Sequence, residues 1–204
     1  MISQFVIRKA RKEDETAVRH CAEHAYAQYV AAIGKKPAPM VADFSSLITL
    51  GRVHVAIDAK DRFCGFIVFY EKGDCFFLEN VAVHPDMAGK GIGKQLILFC
   101  ERMAKHADTT SVRLYTNAKM TANLSLYPHL GYRETERRHE DGFDRVFLES
   151  PCEKATCGPH TMPGGQDRRY SASSIGGSVT DRRKHAQRDF ARQRLTYAKA
   201  PFVR

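Results

Sequence analysis

Apolar residues recur along the first 150 positions with two different periods, and each period predicts a type of element. Short runs rich in β-branched and aromatic residues predict strands, and apolar residues three or four apart predict amphipathic helices. The predicted strands cover about residues 5–8, 53–57, 64–70, 75–83, 111–116 and 145–148, with an extended segment after residue 131. The predicted helices cover about residues 12–33, 44–51, 92–103 and 121–130.

Two of these helices show a defined apolar face. The first face consists of Val18, Ala22, Ala25, Tyr29 and Ile33, followed by Gly34 as a helix stop. The second consists of Ile92, Leu96, Phe99 and Met103. Between them, short turns join three consecutive strands and predict an antiparallel meander. The expected fold class is α/β (α+β in some schemes), with a mixed central sheet flanked by helices and closing near Ser150.

The distribution of charge divides the chain of 204 residues in two. Residues 1–150 hold 21 Lys and Arg against 19 Asp and Glu, whereas residues 151–204 hold 11 against 4. Most of the net charge of +9 therefore lies in the last quarter, where Gly, Ser, Pro, Arg and Gln accumulate. We expect one domain over residues 1–150 and a basic, disordered tail over residues 151–204.

Location is indicated by the apolar runs and the cysteines. No run reaches the roughly 18 apolar residues that a membrane helix needs, and the first residues lack the pattern of a secretory signal. The six cysteines are scattered, and three of them lie in strongly apolar surroundings. We expect a soluble cytoplasmic protein with no membrane partner.

The most informative segment is residues 78–94, which predicts a strand, a glycine-rich loop and the start of a helix. Gly89, Gly91 and Gly93 allow close approach of the backbone, and the free N–H groups of a first helical turn attract an anion. Lys90 and Lys94 add positive charge. The spacing matches neither a P-loop nor a dinucleotide-binding motif. A phosphate or pyrophosphate site and a simple turn of the chain both stay open on this segment alone.

A second segment makes the assignment more specific. Residues 81–94 resemble the acyl-CoA-binding motif of the GCN5-related N-acetyltransferases (GNAT), commonly written R/Q-x-x-G-x-G/A. About 30 residues later, Asn123, Tyr127 and the pair Gly131-Tyr132 resemble the family's Asn, its Tyr four residues on, and its Gly-aromatic pair. The resemblance covers roughly residues 4–150.

The resemblance implies direct transfer of an acetyl group from acetyl-CoA, as co-substrate, to an amine. The loop would bind the CoA pyrophosphate, and the strand edge would pair with the pantetheine arm and polarise the thioester carbonyl. The implied CoA-binding residues are Val81, Ala82, Val83, Ala88, Gly89, Lys90, Gly91, Ile92, Gly93, Lys94 and Asn123. Tyr127 is the implied general acid and Glu79 the candidate general base, with a positioned water or a purely structural role as alternatives for Glu79.

Two departures from the family pattern affect this site. Ala88 stands where the family usually has Arg or Gln, so we expect weakened rather than abolished CoA binding. Pro128 follows Tyr127 directly, and within a helix it removes a hydrogen-bond donor and crowds the carbonyl near Leu124. The helix is therefore expected to kink or end close to the phenol.

Two metal-like patterns do not support a metal site. His20, Glu23 and His24 match H-x-x-E-H, but both histidines are expected on the solvated face of the first helix. Cys152, Cys157 and His160 lack a fourth ligand and a zinc-finger spacing. We expect no metal.

The acceptor is not specified by the sequence. A small-molecule amine and a protein amine both stay open, with an acceptor groove between the first two helices and the hairpin around His139–Asp144. Nucleic acid is not an expected partner of the body but stays open for the tail, and a homodimer is left open. The alternative function is a non-catalytic acyl-CoA-binding regulatory module whose tail recruits an acidic partner or nucleic acid.

Overall fold

The structure, a computed structural model, describes residues 5–152. Its strands are β1 (Phe5–Lys9), β2 (Val53–Asp58), β3 (Phe63–Lys72), β4 (Cys75–Val83), β5 (Ser111–Asn117), β6 (Arg133–Glu140) and β7 (Phe143–Pro151). Its α-helices are α1 (Glu15–Ile33), α2 (Phe44–Thr49), α3 (Ile92–His106) and α4 (Thr121–His129). Short 3₁₀ turns cover Lys12–Asp14, Ala38–Val41 and Pro85–Met87. Every predicted element is present, with ends shifted by a few residues.

One seven-stranded sheet carries these elements in the order β1-β2-β3-β4-β5-β7-β6. Strands β2 to β4 form the predicted antiparallel meander, and β1 pairs with β2 in the antiparallel direction. Strands β5, β7 and β6 are also antiparallel to one another. The two halves meet where β4 pairs with β5 in parallel. The mixed sheet with flanking helices confirms the predicted fold class.

Each face of the sheet covers its own apolar core. Helices α1 and α2 bury Val18, Ala22 and Phe44 against β2 and β3. On the other face, α3 and α4 pack over β4, β5 and β7. Tyr127 belongs to the core covered by α3 and α4, and Tyr26 belongs to the core covered by α1 and α2.

The apolar face of α3 differs from the prediction at its carboxyl end. Ile92 and Leu96 are buried and Phe99 is partly buried, as expected, but Met103 is 37% exposed. The buried stripe instead continues through Ile97, Cys100 and Ala104. Steps of four residues from Leu96 lead to Cys100 and Ala104, whose small side chains allow the helix to lie close to the sheet.

Part of the chain lies outside these observations. The predicted basic tail falls, from residue 153 onward, outside the described residues, and so do Cys157 and His160. Within residues 5–152, no helix is long and apolar enough to cross a membrane.

Candidate active site

The sheet opens between β4 and β5. The two strands pair only from Cys75 with Ser111 to Leu78 with Leu114, and beyond these pairs they separate. The carboxyl half of β4 therefore has β3 on one side and no paired strand on the other. An unpaired strand edge can accept an extended ligand that carries amide groups.

The direction of the peptide groups along this edge follows from one hydrogen bond. The His84 N–H donates to the Cys64 carbonyl of β3 at 2.9 Å. Because successive residues of a strand alternate direction, Ala82 also points its peptide groups at β3, and Val81 and Val83 point theirs into the opening. The edge predicted to face the pantetheine arm thus directs the peptide groups of Val81 and Val83 away from β3.

The glycine-rich loop leads from this edge into α3. Gly89 and Gly91 have φ of 75° and 74°, and no described atom lies within 4 Å of the position that a Cβ would take on either. Gly93 lies closer to the sheet, since a Cβ there would lie 3.4 Å from Val83 Cγ2. The first N–H groups of α3 have no carbonyl one turn earlier in the helix, so they remain donors for an anion.

The charged side chains of the loop contribute unequally. Lys90 Nζ donates to the Asp86 carbonyl and approaches Met87 Sδ, both at 3.2 Å, so it folds back over the preceding turn. Ala88 and Lys94 are exposed, and Ile92 is buried beneath the helix start. Position 88, where the family usually has Arg or Gln, offers no polar side-chain atom, because it is alanine.

A cavity of about 190 Å³ lies at the opening in the sheet. Its lining combines α1, the β4 edge, the start of α3 and α4: Ala25, Tyr26, Tyr29, Val81, Ala82, Val83, Gly93, Ile97, Asn123, Leu126 and Tyr127. Six of the residues predicted for the site are therefore brought together, namely Val81, Ala82, Val83, Gly93, Asn123 and Tyr127. The other loop positions, Ala88–Ile92 and Lys94, lie outside the cavity lining.

Helix α4 places Asn123 and Tyr127 on the cavity side. Asn123 Nδ2 donates to Thr116 Oγ1 at 3.1 Å, which ties the helix to the end of β5. Tyr127 is 5% exposed, and burial raises the pKa of its phenol well above the usual value, so the group stays protonated. Pro128 lies in the last turn, and α4 ends one residue later at His129, as expected from the lost donor.

Glu79 lies on β4 but does not line the cavity. The β3–β4 register shifts there, because Val68 pairs with Asn80 and Phe69 pairs with Leu78, so no residue of β3 lies opposite Glu79 in the register. Burial raises the pKa of its carboxyl, against the lowering effects of Arg52, the Tyr70 hydroxyl and Lys72. The structure therefore gives Glu79 a desolvated setting two residues before Val81, without direct contact with the cavity.

Three residues of α1 that had no predicted site role line the cavity. Tyr26 is buried, and its hydroxyl lies 2.7 Å from Asn80 Oδ1 and 3.1 Å from the Val81 carbonyl oxygen. Ala25 and Tyr29 lie beside it. The apolar steps of four from Val18 through Ala22 reach Tyr26, so the pattern could have placed this ring on the buried face.

The end of α1 also contacts the β6–β7 hairpin. Lys35 Nζ donates to the Asp141 carbonyl at 2.9 Å and lies 3.6 Å from the centroid of the Phe143 ring. The expected neighbours of the acceptor groove, the first helix and the late hairpin, are thus adjacent. Among residues 5–152, no three metal-ligating side chains form a group, and His20 and His24 are exposed on α1.

Comparisons with known proteins agree with this geometry. Residues 49–134 match the family model of the acetyltransferase (GNAT) domain. No curated protein matches the chain. Among solved structures, the PaiA N-acetyltransferase of Thermoplasma acidophilum, in complex with coenzyme A, is similar with a TM-score of 0.61 and 21% identity. That match covers 72% of this chain and 98% of the other.

Two further structures share the fold. The ribosomal-protein-S18-alanine N-acetyltransferase of Escherichia coli matches with a TM-score of 0.56 and 20% identity over 78% of this chain and 99% of its own. A spermidine N-acetyltransferase SpeG chimera from Vibrio cholerae and hSSAT matches with a TM-score of 0.59 and 17% identity. That match covers 74% of this chain and 96% of the other. The fold, the ordered motifs and the family model, which matches residues 49–134, confirm the resemblance to the GNAT acetyltransferases.

Proposed function

We propose that this protein transfers the acetyl group of acetyl-CoA directly to a primary amine. The observation that carries the proposal is the cavity at the opening of the sheet, which Val81, Val83 and Tyr127 line together. The glycine-rich loop at the start of α3 leads into the same opening, so one ligand can reach both the anion-binding turn and the strand edge.

The proposed binding residues fit the parts of acetyl-CoA. The N–H groups at Ile92, Gly93 and Lys94, with the Lys94 ammonium, would hold the pyrophosphate. Ala82 and Asn123 line the same cavity, and the outward groups of Val83 would pair with an amide of the arm. When bound, acetyl-CoA supplies an activated acetyl thioester.

The chemistry divides between three groups of this chain. The Val81 N–H points into the opening and would stabilise negative charge on the thioester oxygen as the amine nitrogen attacks the carbonyl carbon. Tyr127, protonated because it is buried, would give its proton to the departing sulfur. Glu79, through a water molecule, would accept the proton that the amine loses.

The acceptor class remains the open part of the proposal. The names of two compared proteins refer to spermidine and to the alanine of a ribosomal protein, so both a small amine and a protein amine belong in the test.

We further propose that residues 1–150 carry the activity, that the tail is dispensable for it, and that the protein works in the cytoplasm. The free thiols of Cys21, Cys64, Cys75 and Cys100 are in agreement with a reducing compartment.

The experiment measures release of free CoA thiol from acetyl-CoA with a panel containing spermidine, amino acids and peptides with a free amino terminus or lysine. Tyr127→Phe should lower kcat by about 10²-fold or more with an active amine, while CoA affinity stays within about twofold. Tyr132→Phe, which removes a hydroxyl from the ring that contacts Tyr127, is the matched control.

The less favoured alternative, a non-catalytic acyl-CoA-binding module, makes the opposite prediction. Such a protein would bind acetyl-CoA but release no thiol above background with any amine in the panel. A Tyr127→Phe variant as active as the wild type would contradict the assigned role of Tyr127, and failure to bind CoA would contradict the whole proposal.

A further inference from the structure

Tyr26 connects α1 to the strand edge of the proposed site. Its hydroxyl lies 2.7 Å from Asn80 Oδ1 and 3.1 Å from the Val81 carbonyl oxygen. A phenol has one proton, so these two acceptors share it. The residues are 54 and 55 positions apart in sequence, and the side chains of Tyr26 and Asn80 are both buried. The contact is therefore a specific tertiary link at the cavity wall.

This link falls directly beside the residue at which the register of β4 with β3 shifts. On one side, the register shift leaves no residue of β3 opposite Glu79. On the other side, pairing with β5 has already ended at Leu78. A bulged strand bends, so a contact from outside the sheet at Asn80 and Val81 can hold the Val81 peptide more firmly than the pairing with β3 alone.

Tyr26 also contacts only one of the two polar groups of the Val81 backbone, the carbonyl. Both groups point into the opening, because the neighbouring Ala82 points toward β3. Tyr26 donates to the carbonyl oxygen of Val81 and leaves its N–H directed at the cavity. Because the Val81 carbonyl already accepts a hydrogen bond from Tyr26, a bound pantetheine arm has less opportunity to bond to that carbonyl, and the Val81 peptide is less free to rotate.

We propose that Tyr26, through Asn80 and the Val81 carbonyl, is a positioning residue that holds the Val81 N–H toward the thioester oxygen of bound acetyl-CoA. This role rests on the proposed function, in which that N–H stabilises the oxygen during acetyl transfer. Tyr26 itself transfers no proton. Burial raises the pKa of its phenol far above the usual value, and its O–H is already engaged.

The first test separates the positioning role from simple support of the fold. Tyr26→Phe keeps the ring and removes the hydroxyl, and we expect kcat to fall about ten- to a hundredfold, since small errors in the alignment of an oxyanion donor are costly. Free CoA has no acetyl carbonyl, so its affinity and the thermal midpoint should change little. Tyr115→Phe, which removes a phenol hydroxyl on β5 outside the cavity lining, is the control and should behave as wild type.

A second measurement needs no acceptor amine. The carbonyl of acetyl-CoA labelled with ¹³C should move downfield in the NMR spectrum when the wild-type protein binds it, because a donated hydrogen bond polarises the C=O group. Tyr26→Phe should lose most of that shift. Asn80→Ala should lose it too, and the double variant should lose no more than either single one, because the two residues act as one unit.

The outcomes distinguish this inference from the function on which it rests. A Tyr26→Phe protein with wild-type kcat and an unchanged carbonyl shift would overturn the positioning role while leaving acetyl transfer intact. Equal losses of CoA affinity and kcat would overturn it as well, since they would show general support of the strand. A wild-type protein that polarises the carbonyl but acetylates no amine would contradict the proposed function alone.

Discussion

The carboxyl group of Glu79 combines burial with nearby positive charge. Burial raises its pKa, and Arg52 and Lys72 only partly offset that effect. A general base acts in its deprotonated form, so activity should fall as the pH drops through this raised pKa. Glu79→Gln should lower kcat/KM by about 10²-fold or more and remove that acidic limb of the pH profile.

The pH profile of kcat/KM checks the role of Glu79. Glu71→Gln, at an exposed position on β3, is the matched control and should keep both the rate and the acidic limb. If a positioned water serves as the base without help from a carboxylate, Glu79→Gln will stay within a fewfold of wild type. That result would remove Glu79 from the mechanism while leaving Tyr127 in place.

At this scale, the sequence predicts contacts along one element better than contacts between elements. Asn123 and Tyr127 could be placed on one face because a helix repeats every 3.6 residues. The contact between Tyr26 and Asn80 joins positions 54 residues apart, and no local period reports such a distance. The sequence also could not predict whether Glu79 lines the cavity, because the position of Glu79 depends on a register shift in the pairing of β3 with β4.

Among the elements, the pairing of β3 with β4 determines how the strand edge is presented. Gly65 lies opposite Val83, and a Cβ on Gly65 would lie 2.6 Å from the Ala82 carbonyl oxygen. Backbone must therefore move to accommodate alanine. Gly65→Ala should destabilise the fold by about 1–3 kcal/mol and also weaken CoA binding, because the displaced residues adjoin the proposed ligand edge.

Urea unfolding and CoA titration together test this prediction. Gly34→Ala is the comparison, since Gly34 has φ of 83° at the end of α1 and no described atom within 4 Å of its Cβ position. The free energy of unfolding of that variant should fall by about 1 kcal/mol because of backbone strain, and its CoA affinity should not change. Wild-type affinity in Gly65→Ala would show that the edge tolerates movement of Ala82.

The elements themselves could be predicted because their patterns are local. The strands and helices follow from runs and periods of apolar residues, and Gly34 ends α1 as its conformational freedom predicts. The sheet order after β4 could not be obtained in this way. Nothing local in β5, β6 or β7 specifies that β7 inserts between the other two, or that β4 and β5 separate after Leu78. The strand order and the separation of β4 from β5 depend on which faces of the sheet the helices cover in the folded protein.

Across the whole domain, folding removes His54 from water without giving it a charge partner. The side chain is 5% exposed and stacks on Phe69 at 4.7 Å between ring centroids, with Phe99 at 5.1 Å. Its Nδ1 has no hydrogen-bond partner within the described part of the chain. Burial, with a smaller effect of Lys9, lowers the pKa of His54 to about 4, so the folded protein keeps this ring neutral in mildly acidic solution.

The lowered pKa of His54 makes the stability of the whole domain depend on pH with a definite sign. Below about pH 6.5 the unfolded chain binds a proton on His54 that the folded chain does not, so stability falls as the pH drops toward 4. From pH 7.5 to pH 5 this one group should remove about 2 kcal/mol from the free energy of unfolding. His54→Leu should lose that part of the pH dependence in urea titrations, whereas His20→Leu, at an exposed position on α1, should retain it. An unchanged slope in His54→Leu would mean that the folded protein accommodates the protonated ring.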